Sequence, residues 1–279
     1  MILHFSELAS TNSYLRENLG GMPQYAVVTA GFQTAGRGQR GNGWESEPGA
    51  NLLFSMLYYP PEWLSPSRQF LISKAVALAV AETVDRLLDG FPHPEVCIKW
   101  PNDIYVGDRK IAGILIENSL QSAASIAHSI IGVGLNINQR EFRSGAPNPV
   151  SAIHFTDRET PLEDVTLLLR DTLASRLEKM QQEFHPARES TPVLNEDYFS
   201  RLWRRRGFHP YIARTASIEA SPTAIKPNDP DCQDCFDAEI ADVAPDGLLT
   251  VRLRSGQLRA FSFKEIVPVL PKKNSDIFL

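Results

Sequence analysis

Apolar and polar positions alternate along the chain in a way that predicts a sheet-and-helix protein. Residues 24–31 and 51–59 are apolar runs bounded by turn formers, and they predict two strands joined by a long glycine-rich connection. Residues 67–89 carry Leu71, Ala75, Leu78 and Leu87 on one helical face. Ile72, Val76 and Val80 widen that face, which predicts a helix well buried against a sheet, with Ser67 as its cap and Gly90-Phe91-Pro92 as its stop. Residues 96–118 read as strand, Pro101-Asn102-Asp103 corner, strand, Gly107-Asp108 turn and strand; residues 126–138 read as an apolar strand. Residues 10–19 look like a short capped helix ending at Gly20-Gly21, and residues 139–160 look like a loop. An amphipathic helix is expected over 161–185, with Pro161 near its first turn, and a short helix over 195–203.

The run Arg204-Arg205-Arg206-Gly207 marks a change of texture and reads as a solvated boundary. Beyond it, residues 211–219, 236–243, 247–254, 257–263 and 265–270 form short apolar runs separated by turns, the pattern of a small β-barrel. The expected fold class is α+β. A mixed sheet with helices on one face occupies residues 1–206, and a barrel occupies residues 207–279.

Composition narrows the function classes. The 279 residues are 43% hydrophobic and 22% charged, with a net charge of −5, so a broadly basic nucleic-acid surface is not expected. No apolar run reaches the length of a membrane span, and the first residues lack the pattern of a secretory signal, so a cytoplasmic protein is expected. Cys97, Cys232 and Cys235 do not make a disulfide framework, and Cys232-x-x-Cys235 lacks a second pair of zinc ligands.

The candidate chemistry lies in four stretches. Gly36, Gly38, Gly41 and Gly43 fall within eight residues, interleaved with Arg37 and Arg40 and followed by Trp44. Glycine allows close backbone approach, free N–H groups favour an anion, and arginine offers a planar fork of donors. The loop therefore reads as an anion clamp, although a glycine-rich linker has the same composition. No Gly-Lys-Ser/Thr follows, which excludes an ordinary P-loop. Ser10-Thr11-Asn12 suits either a helix cap or a polar ligand at a helix N-terminus. Lys99, Asn102, Asp103 and Lys110 surround two turns, where they make either a polar site or a structural ion pair. Asn136 and Asn138 emerge from a buried strand and need partners for their amides.

Taken together, Ser10-Thr11-Asn12, Gly36-Arg37-Gly38-x-x-Gly41-x-x-Trp44, Lys99-Trp100-Pro101-Asn102-Asp103, Lys110-x-Ala112-Gly113-Ile114-Leu115-x-Glu117 and Gly132-x-Gly134-x-Asn136-x-Asn138 resemble the biotin protein ligase family. The resemblance covers residues 10–138 by motif and the remainder by architecture, including a C-terminal SH3-like barrel. It implies that biotin's carboxylate attacks the α-phosphate of ATP, giving biotinyl-5′-AMP, and that a carrier-protein lysine then displaces AMP. It also implies catalytic roles for Arg37, Lys110 and Asp103. Ser10, Thr11, Asn12, Gln33, Gly36, Arg37, Lys110, Gly113 and Leu115 would hold biotin. Arg37, Gln39, Arg40, Trp44, Asn102, Lys110 and Asn136 would hold ATP and the adenylate, with Trp44 packed over it. Mg²⁺ is implied beside the phosphates, with Asp103 as its candidate ligand. The implied partner is a biotin carboxyl carrier protein, and an exposed sheet edge would suit that carrier or a second copy in a homodimer.

A lipoate or octanoate ligase of the same fold is the enzyme alternative, but the Arg-Arg-x-Ser-Gly-Gly-Gly loop usual there is absent. A non-catalytic biotin sensor is the other. Gln39 stands where some family members have a second loop arginine, which predicts weaker adenylate retention. Ser10-Thr11-Asn12 begins near the first residue, so the expectation is a ligase without a DNA-binding domain and without DNA or membrane partners.

Overall fold

The computed structural model describes residues 1–39, 43–122, 124–143, 148–184, 191–214 and 235–270. Seven strands form the first sheet: β1 (Ile2–Leu8), β2 (Val27–Gln33), β3 (Leu52–Tyr58), β4 (Val96–Lys99), β5 (Asp103–Val106), β6 (Arg109–Ser122) and β7 (Ser125–Leu135). Their order is β1-β2-β3-β7-β6-β5-β4. Only β1 and β2 run parallel; every other pair is antiparallel, so the sheet is mixed as expected.

The helices are α1 (Thr11–Glu17), α2 (Phe70–Leu87), α3 (Ile153–Thr156), α4 (Leu162–Glu183) and α5 (Pro192–Ser200). Alternation along the strands sorts side chains between two faces. Val27, Phe54, Met56, Ile131 and Val133 join the core beneath α2, α4 and α5. Val28, Leu57 and Ile130 point the other way and pack against Leu15 of α1. The long helices thus share one face, while α1 lies on the opposite face. α2 does not use Ser67 as its cap. A turn of 3₁₀ helix over Pro66–Arg68 comes first, Gln69 takes the N-cap position, and the Ser67 hydroxyl bonds to Ser65 instead. Arg176 of α4 ties α2 to α5 by pairing with Glu82 and, at 2.7 Å, with Asp197.

The second sheet is five-stranded and antiparallel, in the order β11-β10-β9-β8-β12, and is consistent with an SH3-like unit. Its strands are β8 (His209–Ala213), β9 (Cys235–Val243), β10 (Leu249–Leu253), β11 (Leu258–Phe261) and β12 (Ile266–Pro268). Cys232 lies outside the described residues, as does most of the cysteine-bearing loop. Leu249, Val251, Phe261 and Ile266 belong to the same apolar cluster as α2 and the large sheet. Arg204 is not solvated as its charge run suggested. Its guanidinium stacks 4.1 Å from the Trp203 ring and donates to the Val269 carbonyl at 2.8 Å, so it seals the junction between the sheets.

Lys74 of α2 crosses that junction. It is 2% exposed, and its ammonium donates to the Val243 carbonyl at 2.6 Å and to Asn195 Oδ1 at 2.9 Å. Burial pushes its pKa down to about 8, against the opposing pull of Asp242 and Asp246. Between about pH 8 and its ordinary value of 10.5, the unfolded chain therefore holds a proton that the folded chain has shed, and stability from this group rises with pH. From about pH 8 to 9, the unfolding free energy of the wild type is expected to climb faster than that of Lys74→Met, by about 1 kcal/mol per pH unit. Parallel slopes in urea titrations would contradict the buried-ammonium description.

Candidate functional site

The α1 face of the large sheet carries a patch of three glycines. Register places Asp103, Gly113, Gly134 and Leu53 in one cross-strand row over β5, β6, β7 and β3. The next row on this face runs Leu115, Gly132 and Ser55, and the one after it Glu117, Ile130 and Leu57. Three glycines thus fall on two central strands, where most positions would present a packed side chain. A Cβ on Gly134 would lie 2.3 Å from the Trp44 ring, one on Gly113 2.8 Å from the same ring, and one on Gly132 2.4 Å from Asn12 Oδ1. Ligand-sized groups can approach the backbone here only because these residues are glycine.

One end of the floor is lined by α1. Ser10 sits at the N-cap with extended backbone, yet its side chain makes no capping bond. Ser10, Thr11 and Asn12 are all buried and line the cleft described below. Thr11 donates to Gln33 Oε1 through its backbone N–H at 2.7 Å and its hydroxyl at 3.0 Å. Ser55 Oγ lies 2.6 Å from Thr11 Oγ1 and 2.5 Å from Asn12 Oδ1, its one proton shared between two acceptors. The Asn12 amide then donates to Glu117 at 2.8 Å. Gln33, Thr11, Ser55, Asn12 and Glu117 therefore form a single chain of bonds across four elements, which fixes their orientations together.

Two carboxylates flank the floor, each holding two cations. Asp103 receives Lys110 at 2.6 Å on Oδ1 and Lys99 at 3.4 Å on Oδ2. Burial raises the Asp103 carboxyl pKa, but the two ammonium groups outweigh it and hold the group below its ordinary range. Glu117 receives Arg16 at 3.2 Å on Oε1 and Arg37 at 3.3 Å on Oε2. Both oxygens of Asp103 are engaged by lysines, which fixes the carboxylate at the corner. Among the described residues, no group of three or more His, Cys, Asp or Glu is placed to hold a metal.

Most of the residues expected from the sequence line one cleft of about 330 Å³. Ser10, Thr11, Asn12 and Gln33 line its α1 end; Asn102, Asp103 and Lys110 line the corner; Gly113, Leu115, Arg37, Gln39 and Trp44 line the middle. Gly36 lies just behind, 3.0 Å from the Trp44 carbonyl if given a Cβ. Arg40 lies outside the described residues. Asn102 also braces the corner, donating to the Ile114 carbonyl at 2.8 Å. Asn136 is set deeper than the cleft lining, with its amide donating to Val150 O at 3.1 Å and its Oδ1 buried without a partner.

Sequence reasoning gave no role to three contributors. Ser55 and Glu117, the latter already part of a motif, lie on the glycine face, and alternation along β3 and β6 is the signal that finds them. Lys264 comes from the second sheet, at φ 82°, and lines the same cleft; nothing local in the sequence places it there.

Trp44 lies on the glycine floor, with its Nε1 buried and unbonded and the Lys110 ammonium 5.6 Å from its ring centre. Gly134→Ala is therefore expected to push the indole off the floor and red-shift its emission relative to wild type, with a thermal midpoint changed by less than about 5 °C. An unchanged spectrum in the folded variant would contradict this placement.

A family model described as the biotin/lipoate A/B protein ligase family matches residues 5–136. The bifunctional ligase/repressor BirA of Escherichia coli K12 is 31% identical over 75% of this chain, and the chain spans 56% of that relative. The biotin–[acetyl-CoA-carboxylase] ligase of Mycobacterium tuberculosis is 31% identical over 70% of this chain and 68% of its own length. In fold, the chain resembles the biotin protein ligase of Aquifex aeolicus solved with biotin and ATP, with a TM-score of 0.71 at 19% identity, covering 96% of this chain and 97% of that one. On the sequence shared with the Mycobacterium tuberculosis ligase and the matching family model, the chain belongs to the biotin/lipoate A/B protein ligase family.

Proposed function

We infer that this protein is an ATP-dependent biotin protein ligase, which activates biotin as biotinyl-5′-AMP and passes it to a lysine of a biotin carboxyl carrier protein. The observation that carries this reading is the placement of Arg37 and Lys110 at one glycine-floored cleft whose other end is the Thr11–Gln33–Ser55 bond chain. Biotin's ureido ring would find fixed hydroxyl and amide partners at that end, over a floor flat enough for a fused ring. Its carboxylate would then point toward the cations.

Joining a carboxylate to a polyphosphate brings like charges together, and cations preorganised at that point are the main catalytic requirement. A carboxylate oxygen of biotin forms the bond to the α-phosphorus as the bond to pyrophosphate breaks. Arg37 and Lys110 would bear on the carboxylate and the α-phosphate from two sides. In the second step the carrier lysine's amine attacks the acyl carbon, and AMP leaves with the electron pair. Asp103 would serve by holding Lys110 in place. Its lowered pKa makes it a weak base, which argues against its taking the incoming lysine's proton. Mg²⁺ would arrive with ATP, bound largely by phosphate and water. The buried, unpartnered Oδ1 of Asn136 is an acceptor that an adenine amino group would satisfy. Gln39 places a neutral amide where a second arginine would add charge, so the adenylate is expected to leave more readily than from a loop with two arginines.

Biotin-dependent exchange of pyrophosphate into ATP tests the first step directly, with lipoate and octanoate run in parallel. Exchange with biotin alone is expected; exchange with lipoate or octanoate instead would move the chain to the lipoyl branch, and none with any acid would favour a sensor. Arg37→Ala is expected to lower the exchange rate on the order of a hundredfold without unfolding the protein, because Arg37 is part-exposed and makes only surface bonds. Full activity in that variant would remove Arg37 from the mechanism. Lys110→Ala is expected to slow biotin-dependent pyrophosphate release by a similar factor of about a hundred; a normal rate would exclude Lys110.

A further inference from the structure

Glu117 stands on the α1 face of β6, two residues beyond Leu115 and four beyond Gly113, at the edge of the cleft. Two guanidinium groups meet on its carboxylate, Arg16 from α1 and Arg37 from the glycine loop. Both also reach Ser13 Oγ, at 3.1 and 3.3 Å. Without a carboxylate between them, two like charges this close would repel. Arg37 spends only its Nη2 on these contacts. Among the described residues, none accepts from its Nη1 or Nε.

We propose that Glu117 is a positioning residue: it grips Arg37 by Nη2 so that the remaining guanidinium edge is presented to the reacting carboxylate and phosphate. This rests on the biotin-ligase reading for the identity of those groups, but the grip itself does not. Glu117 is suited to this because its own place is fixed by the Asn12 amide, which is locked in turn by Ser55. The loop arginine is thereby referenced to the sheet rather than to the loop that carries it. A misplacement of about 1 Å at a reacting centre costs on the order of a hundredfold, so a part-exposed ion pair of little worth to stability can still matter to rate.

Glu117→Gln keeps the size and an acceptor for Asn12 while removing the charge. Three readouts separate positioning from mere structure: kcat and KM for biotin in pyrophosphate exchange, the thermal midpoint, and the rate of tryptic cleavage at the Arg37–Gly38 bond followed by mass spectrometry. The expected result is a kcat about tenfold to a hundredfold lower, KM for biotin within about twofold of wild type, an unchanged midpoint and severalfold faster cleavage at Arg37. A raised KM for biotin with kcat unchanged would assign Glu117 to Asn12 and the α1 end, and would overturn the proposal. So would unaltered cleavage, or faster cleavage without loss of kcat. If the wild type shows no exchange with biotin, the functional reading fails; the cleavage rates then still decide whether Glu117 holds Arg37.

Discussion

Three missing side chains govern the site. Gly113, Gly132 and Gly134 leave two adjacent central strands bare on the face away from the long helices, and each is hemmed in by an atom that a Cβ would strike. The constraint works in both directions. It opens a slot in a sheet whose other face is a packed core, and it obliges other elements to build the slot's walls. α1 stands at one end and the glycine loop in the middle. The Pro101-Asn102-Asp103 corner stands at the other, with the second sheet along the side.

The charges around that slot follow one design used twice. Asp103 and Glu117 sit on the same face of the sheet, and each gathers two cations from different parts of the chain. In both clusters the carboxylate belongs to a strand and so is fixed by sheet register. The cations are on longer, more adaptable side chains. Each cluster keeps a net positive charge, which suits an anionic ligand, while the carboxylate holds the cations close enough to act together. The rigid scaffold thus decides where positive charge is presented, and the loop supplies reach.

Much of this was legible in the sequence because it is local. The glycines and asparagines ending β7, the turn around Pro101 and the two lysines beside it declare themselves by spacing. The small β strands after Arg206 appear through their turns. Other features depend on contacts that spacing does not carry. Asn12 and Glu117 meet across 105 residues, and that meeting is set by strand order. β1 escaped notice because an edge strand, half exposed, shows weak alternation in Ile2-Leu3-His4-Phe5-Ser6-Glu7-Leu8. Arg204 looked solvated because its partners, Trp203 and Val269, come together only when the second sheet docks. The Trp44 indole rests where Gly113 and Gly134 leave room for it, a contact set by strand register rather than by local spacing.

The central claim is that the bare floor receives an acyl adenylate between the two cation clusters. A crystal structure with a non-hydrolysable analogue of biotinyl-5′-AMP tests it most directly. The account predicts the fused ring over Gly113, Gly132 and Gly134 with the Trp44 indole displaced from them, its polar edge toward Thr11 and Gln33, and the linking group within hydrogen-bond reach of Arg37 and Lys110. An analogue seated on the helix-covered side of the sheet, or with its linking group turned away from both cations, would contradict it.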